Sequence, residues 1–302
     1  MQQDFAITVR FYRLSEALQP YFTALYQFDL DGPPGQMVED QLHPEWTTLR
    51  FATGPAPIGG VVPEPKQPSW PFVVSGPTSR SIHFGIMSGC IWGVGLLPAG
   101  WARFVDGEAR TYADRIVDGC AETAFRQFAP ILDIARRGGV APEVTASRIN
   151  AALMALVGQP VAQERQIRLL HEALRDPEVA SVSDLVDRVG LGTRSLERLC
   201  ARYFGFPPKQ LLRRQRFLRS LAQFMLTPGG RSWSEALDGQ YYDQAQFVKD
   251  FRSFMHMTPS EYAERPHPIL SRIMAQRMAD AGAAPETDLP TILRYTPELE
   301  LE

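Results

Sequence analysis

The stretch SVSDLVDRVGLGTRSLERLCARYFG, residues 181–205, carries the pattern on which the fold turns. Ser181 followed three positions later by Asp184 is a capping-box signature. Leu185, Val186 and Val189 then share one helix face, and Gly190 stops it. Thr193 is placed to cap a second helix, whose apolar residues Leu196, Leu199, Cys200, Tyr203 and Phe204 fall at i, i+3, i+4, i+7 and i+8 before Gly205 ends the run. The opposite face carries Arg194, Ser195, Glu197, Arg198 and Arg202. A helix, a tight Gly-containing turn and a helix with a polar, basic outer face make the helix-turn-helix arrangement, whose second helix enters the major groove.

The pattern recurs downstream. Ser232 to Glu235 offers a second capping box, Trp233, Ala236 and Leu237 a short apolar face, and Gly239 a turn. Asp243 is positioned to cap a helix with Phe247, Phe251 and Phe254 inward and Gln244, Gln246, Lys249, Asp250 and Arg252 outward. Between the units, Pro207 and Pro208 begin a long helix with Leu211, Leu218, Leu221 and Met225 on one face and Arg213, Arg214, Arg216 and Arg219 on the others. Such a helix would fix the distance between two DNA readers. The region from 194 to 219 holds eight Arg or Lys against one Glu in a chain whose net charge is -3, an asymmetry that points to a polyanion.

Residues of about 165 to 265 resemble the C-terminal DNA-binding domain of AraC/XylS-type transcription regulators. The likeness is carried by Leu185 to Arg202, by GFPPKQLLRRQR at 205–216, by YYDQAQFVKDF at 241–251 and by TPSEY at 258–262. It implies base-reading positions at Arg194, Glu197 and Arg198 in the first unit and at Gln244, Ala245 and Lys249 in the second. Arg suits guanine O6/N7, Gln adenine N6/N7 and Glu cytosine N4. Arg202, Lys209, Arg213, Arg214 and Arg216 are expected to meet phosphates, adding salt-dependent affinity without sequence choice. Two positions depart from the family pattern: Gln240 stands after Gly239 where the turn usually has Gly, and His256 where Gly usually precedes Ser/Thr-Pro. Both positions are expected to demand φ > 0.

The first 112 residues are rich in Gly, Pro and Trp, with short apolar runs at 49–51, 72–74, 81–86 and 91–97 that read as strands of a compact sheet or barrel. From Asp114 the apolar residues Ile116, Cys120, Phe125, Phe128, Ile131 and Leu132 recur at helical spacings to an Arg-Gly-Gly stop. Two further helices are read at 147–156 and 162–174. The expected fold class is α+β. A β-rich domain with following helices, small barrel or sandwich-like and serving sensing or dimerisation, occupies 1–160. An all-α domain occupies 161–268, with helix-turn-helix units at about 182–204 and 233–255 and a linker helix at about 208–226. A tail, 269–302, is read as loosely attached. Trp46, Arg50, His83 and Trp92, with Trp101, are candidates to line an effector pocket, because such pockets combine aromatic walls with few polar groups.

These readings imply double-stranded operator DNA as partner. A small-molecule effector, a second copy of the chain and, for an activator, RNA polymerase would be the others. The alternative is a DNA-modifying enzyme using the same module for delivery, which needs an activated thiolate. Cys90, Cys120 and Cys200 are scattered, and His43, His83, His171, His256 and His267 never share a metal-ligand spacing, so no enzyme activity, cofactor or metal is expected. No run of about 18 apolar residues and no basic-then-apolar N-terminus is present, so a cytoplasmic location is expected.

Overall fold

The computed structural model describes residues 5–226 and 237–279. Nine strands come first: β1 (Ala6–Tyr12), β2 (Phe22–Asp31), β3 (Met37–Leu42), β4 (Thr47–Ala52), β5 (Ile58–Val61), β6 (Gln67–Pro68), β7 (Phe72–Ser75), β8 (Ile82–Met87) and β9 (Gly89–Leu96). Helix α1 (Pro98–Phe104), strand β10 (Ile116–Asp118) and helices α2 (Pro130–Arg136), α3 (Pro142–Ala155) and α4 (Glu164–Arg175) follow. The rest is α5 (Val182–Val189), α6 (Thr193–Leu199), α7 (Pro208–Leu226), α8 (Gln244–Met255), α9 (Pro259–Glu264) and α10 (Leu270–Ala279). This is the α+β order that the sequence implies.

The strands form two antiparallel sheets, one of six in the order β1-β2-β9-β4-β7-β10 and one of four in the order β3-β8-β5-β6. Alternation along the six-stranded sheet sorts its residues between two environments. Leu49 pairs with Val74 and Val94, and Phe51 with Phe72 and Trp92; this face packs on the helices. The intervening residues, Arg50, Val73 and Ile91, face the smaller sheet. Gly93, opposite Arg50, leaves the room that the Tyr26 ring fills.

One hydrophobic core runs without a break from Leu49, Phe51 and Phe72 through Phe128, Ile149 and Leu170 to Leu185, Leu196 and Phe204. Each such fully buried side chain contributes on the order of 1.5 to 3 kcal/mol relative to exposure. The first helix-turn-helix unit is therefore fused to the N-terminal half rather than tethered to it. The second has its own core of Phe217, Leu221, Phe247, Phe251, Phe254 and Tyr262.

Three sequence expectations change. Ile116 lies in an edge strand paired with β7, and helix starts only at Pro130, because Ile116 to Asp118 find open backbone partners at Val73 to Ser75. The helix read at 147–156 begins earlier, at Pro142, which needs no N–H partner in a first turn. Residues 270–279 are not loosely attached but form α10, packed on β1, β3 and α7. The capping box at Ser232 to Glu235, with Trp233 and Ala236, lies outside the described residues, as does the tail from 280.

Candidate nucleic-acid interface

The first unit is built by local rules. Ser181 Oγ accepts from the Asp184 N–H at 3.2 Å, and the Asp184 carboxylate accepts from the N–H groups of Ser181 (2.8 Å) and Ala180 (2.9 Å). Those bonds, that from Ser181 first, hold the Asp184 carboxyl below its ordinary range. Gly190 closes α5 in the left-handed conformation at φ 71°. The cap of α6 is Gly192, with Thr193 already helical and no side-chain cap bond, because the turn is one residue shorter than the spacing suggests. The last turn widens over Cys200–Phe204 and ends at Gly205, φ 84°, where a side chain would also collide with Pro77 of the N-terminal half.

With Leu196 and Leu199 buried, α6 exposes Arg194, Glu197 and Arg198, and Arg202 follows on the same outer surface. Arg198 Nη2 donates to Ser195 Oγ at 3.4 Å, and Arg202 lies over the Tyr203 ring.

In the second unit Asp243 Oδ1 accepts from the Gln246 N–H at 2.7 Å and caps α8. Phe247, Phe251 and Phe254 are buried, while Gln244, Ala245 and Lys249 are exposed and share a shallow hollow with Val248 and Arg252. His256 ends the helix at φ 55°, bearing out the left-handed demand at that position. Gln240 does not share it: its φ is not positive, its N–H donates to Asp238 Oδ1 at 2.9 Å, and its side-chain amide donates to the Pro177 carbonyl. The Asx-type bond to Asp238 makes the turn without a glycine.

Asp250, expected on the outer face, points inward and is 2% exposed. It accepts from Arg213 Nη2 (2.5 Å), Arg216 Nη2 (3.1 Å) and the Tyr241 hydroxyl (3.2 Å), tying α8 to the linker helix α7. Burial, with the nearby Asp250 charge, pushes the Tyr241 hydroxyl pKa up, so the phenol stays a donor.

The expected phosphate-contacting residues therefore divide. Arg202 and Lys209 are exposed. Arg213 is partly open and Arg216 mostly covered, both committed to Asp250. Arg214 is a correction: it is 1% exposed, stacks over the Trp46 ring at 3.8 Å and donates from Nη1 to the Thr78 carbonyl at 3.0 Å. The N-terminal half also meets the end of α8, where the Ser81 N–H donates to the Phe254 carbonyl at 2.8 Å and Gln41 Nε2 to the Met255 carbonyl at 3.0 Å.

The expected effector-pocket residues also divide. A cavity of about 90 Å³ lies between the two sheets, and a more polar one of about 160 Å³ lies between the large sheet, α7 and α10. Arg50 borders both and Trp46 only the second. Trp92 is on the opposite sheet face, stacked on Tyr12, as its register with Phe51 dictates. Trp101 is buried against Tyr112 and Phe125. His83 bonds the Glu64 carbonyl at 2.7 Å and lines a separate outer hollow. Arg50 Nη2 donates to Glu45 Oε1 at 2.6 Å, Nη1 to Ser75 Oγ at 2.8 Å and Nε to Tyr26 Oη at 3.2 Å. Desolvation works against the guanidinium charge, but the Glu45 charge outweighs it and the pKa is raised.

No activated thiol is found at any cysteine. Burial pushes the Cys90 and Cys200 thiols up to about 12 and raises that of exposed Cys120, the reverse of an acceptor thiolate. Among the described residues no group of three or more His, Cys, Asp or Glu could hold a metal, and no helix is long and apolar enough to cross a membrane.

No curated protein matches the chain. Among solved structures, ToxT from Vibrio cholerae O395 bound to (E)-4-(8-methylnaphthalen-1-yl)but-3-enoic acid is similar at 8% identity, with 86% of this chain and 98% of that one covered and a TM-score of 0.45. Unsaturated fatty acid-bound ToxT from Vibrio cholerae strain SCE256 is similar at 9% identity, with coverage of 87% and 96% and a TM-score of 0.41. The AraC-like transcriptional activator CuxR is similar at 12% identity, with coverage of 72% and 82% and a TM-score of 0.32. The family profile described as a helix-turn-helix domain matches residues 185–265, which span α6, α7, α8 and α9 and all but the first turn of α5. Residues 185–265 thus match a helix-turn-helix domain of the AraC type.

Proposed function

We propose that the chain is a sequence-specific DNA-binding transcription regulator that places α6 and α8 in neighbouring major-groove segments about 34 Å apart along one face of the duplex. The observation that carries this reading is the pair of outward faces. Arg194, Glu197 and Arg198 on α6, and Gln244, Ala245 and Lys249 on α8, are all exposed while the apolar side of each helix is buried. Arg198 reads guanine, Gln244 adenine, and Arg202 and Lys209 hold phosphates. Arg213 and Arg216 serve first to hold α8 on α7 through Asp250, and only the open side of Arg213 reaches a phosphate. The cavities lined by Arg50 and Trp46 are the effector site of this reading. A homodimer and, for an activator, a contact with RNA polymerase belong to the same reading.

Selection from a random DNA pool with the full chain tests it. Two sequence blocks about 10 base pairs apart are expected, with Arg198→Ala relaxing one and Lys249→Ala the other, each at a cost of roughly 1 to 3 kcal/mol. One block, insensitive to Lys249→Ala, would remove α8 as a reader. No block at all would remove the regulator reading.

A further inference from the structure

Helix α10 leaves the second helix-turn-helix unit after α9 and returns to the N-terminal half, where its first two turns complete the walls of both cavities. Ile269 and Ile273 face the chamber between the sheets, and Leu270, Ile273 and Met274 the more polar neighbour. The start of the helix is held by one buried carboxylate. Asp40 of β3 accepts from the Ile269 N–H at 2.9 Å and the Leu270 N–H at 2.8 Å, and its other oxygen lies 3.3 Å from His267 Nδ1. Its side chain is 1% exposed. His267 stacks on Tyr262 of α9, ring centroids 4.2 Å apart, and Tyr262 Oη lies 2.7 Å from His43 Nε2. One cluster thus joins a sheet of the N-terminal half, the end of the DNA-binding domain and the wall of the chamber.

The chamber itself has a definite chemistry. Its lining is aliphatic and aromatic apart from Arg50, Tyr26, Ser69 and Ser75. Every guanidinium nitrogen of Arg50 already has a partner in the chain, and Glu45 cancels its charge. An anion would have to strip Arg50 from Glu45 and leave that carboxylate buried without its cation, whereas an uncharged apolar molecule costs no such exchange. At about 90 Å³ the space suits a compact occupant.

We propose that α10 is a latch over a binding site for a compact, uncharged hydrophobic molecule. Entry past α10 lifts Ile269 and Ile273 away, which breaks the bonds from Ile269, Leu270 and His267 to Asp40 and slackens the hold of the N-terminal half on the second helix-turn-helix unit. That last consequence rests on the DNA-binding reading; the site and its latch do not. An occupant acts on DNA affinity only through its unequal affinity for the latched and released states.

The test uses the full chain with labelled isoleucine methyl groups, because Ile58, Ile82, Ile86, Ile91, Ile269 and Ile273 all face the chamber. Benzene is expected to shift these methyls while Ile149 and Ile167 stay in place; benzoate, the same ring with a charge, is expected to leave all of them unmoved. Asp40→Ala should speed amide exchange at Ile269 and Leu270 and speed benzene uptake severalfold. Ile273→Ala, which opens the wall without touching Asp40, should also speed uptake, so that a folding defect in the first variant does not decide the matter. Unmoved chamber methyls with benzene, an equal response to benzoate, or uptake unchanged in Ile273→Ala would overturn the proposal. Operator affinity measured on the same samples reads the coupling separately. It should change severalfold with benzene; an unchanged affinity removes the coupling, and absence of operator binding without benzene removes the regulator reading while leaving the methyl result standing.

Discussion

The guanidinium of Arg214 lies over the indole of Trp46, its carbon 3.8 Å from the ring centroid, and joins the linker helix to strand β4's approach rather than to DNA. Trp46 in turn meets His171 and Phe204 edge-on, so one side chain gathers the large sheet, α4, the first unit and α7. Arg214→Ala is expected to destabilise the chain by roughly 2 to 4 kcal/mol, from a desolvated cation-π contact and a stranded Thr78 carbonyl. Urea unfolding measures that loss. The slope of operator affinity against salt should be unchanged in this variant, whereas Arg202→Ala should lower it by about one unit.

Asp250 is the only buried carboxylate shared by α8 and α7 among the described residues. Asp250→Ala strands the Arg216 cation in a covered site, and a cost of roughly 2 to 4 kcal/mol is expected, reduced because Arg213 can turn to solvent. Hydrogen exchange should locate the loss in α8. Protection lost evenly across the β-sheets instead would contradict a local role.

His256 holds a left-handed conformation that suits glycine, at φ 55°. His256→Gly should raise stability by about 1 kcal/mol. Gln240→Gly should bring no gain, because Gln240 has no positive φ and its amide bridges to Pro177. Denaturant midpoints of the two variants, run side by side, separate these expectations.

The docking of α10 should depend on pH. For His267, desolvation lowers the pKa, but the hydrogen bond to Asp40, the Tyr262 carbonyl and the Asp40 charge outweigh it, so the folded value is raised above the ordinary 6.5. Arg265 opposes that shift, and Glu39, Lys66, His83 and His256 line the same hollow. A raised folded value means that the proton stabilises the docked state. The contribution is complete below the ordinary value and is lost as pH climbs through the raised one. Amide protection at Ile269 and Leu270 should therefore fall with rising pH once the intrinsic exchange rate is removed, and His267→Gln should flatten that dependence.

Local rules made much of this legible. The capping box at Ser181, the stops at Gly190 and Gly205 and the Phe247, Phe251, Phe254 stripe depend on neighbours within a turn or two, and the structure keeps them. Residues whose place depends on distant chain are not legible from their neighbours. Arg214 reads as one basic residue among several on α7 until Trp46, just ahead of β4, is brought against it. Asp250 reads as polar and outward, although its position one residue before Phe251 and three after Phe247 put it at the edge of the buried stripe. The docking of α10 is not legible locally because its partners include Asp40 and β1, more than two hundred residues earlier. Trp92 could have been placed from the strand alternation alone, since it shares parity with Val94 and Leu96, which are buried on the helix side.

The carbonyls of Phe254 and Met255 belong to the last turn of α8, where the helix supplies no further N–H, and the groups that satisfy them come from Ser81 and Gln41. The second helix-turn-helix unit is thus finished by borrowed parts. A C-terminal fragment expressed alone would carry bare carbonyls at the end of α8 and an exposed Arg214, so it would be a different object from the same residues in the whole chain. Grafting this domain onto a foreign N-terminal half would require transplanting the β3 and β8 edges with it.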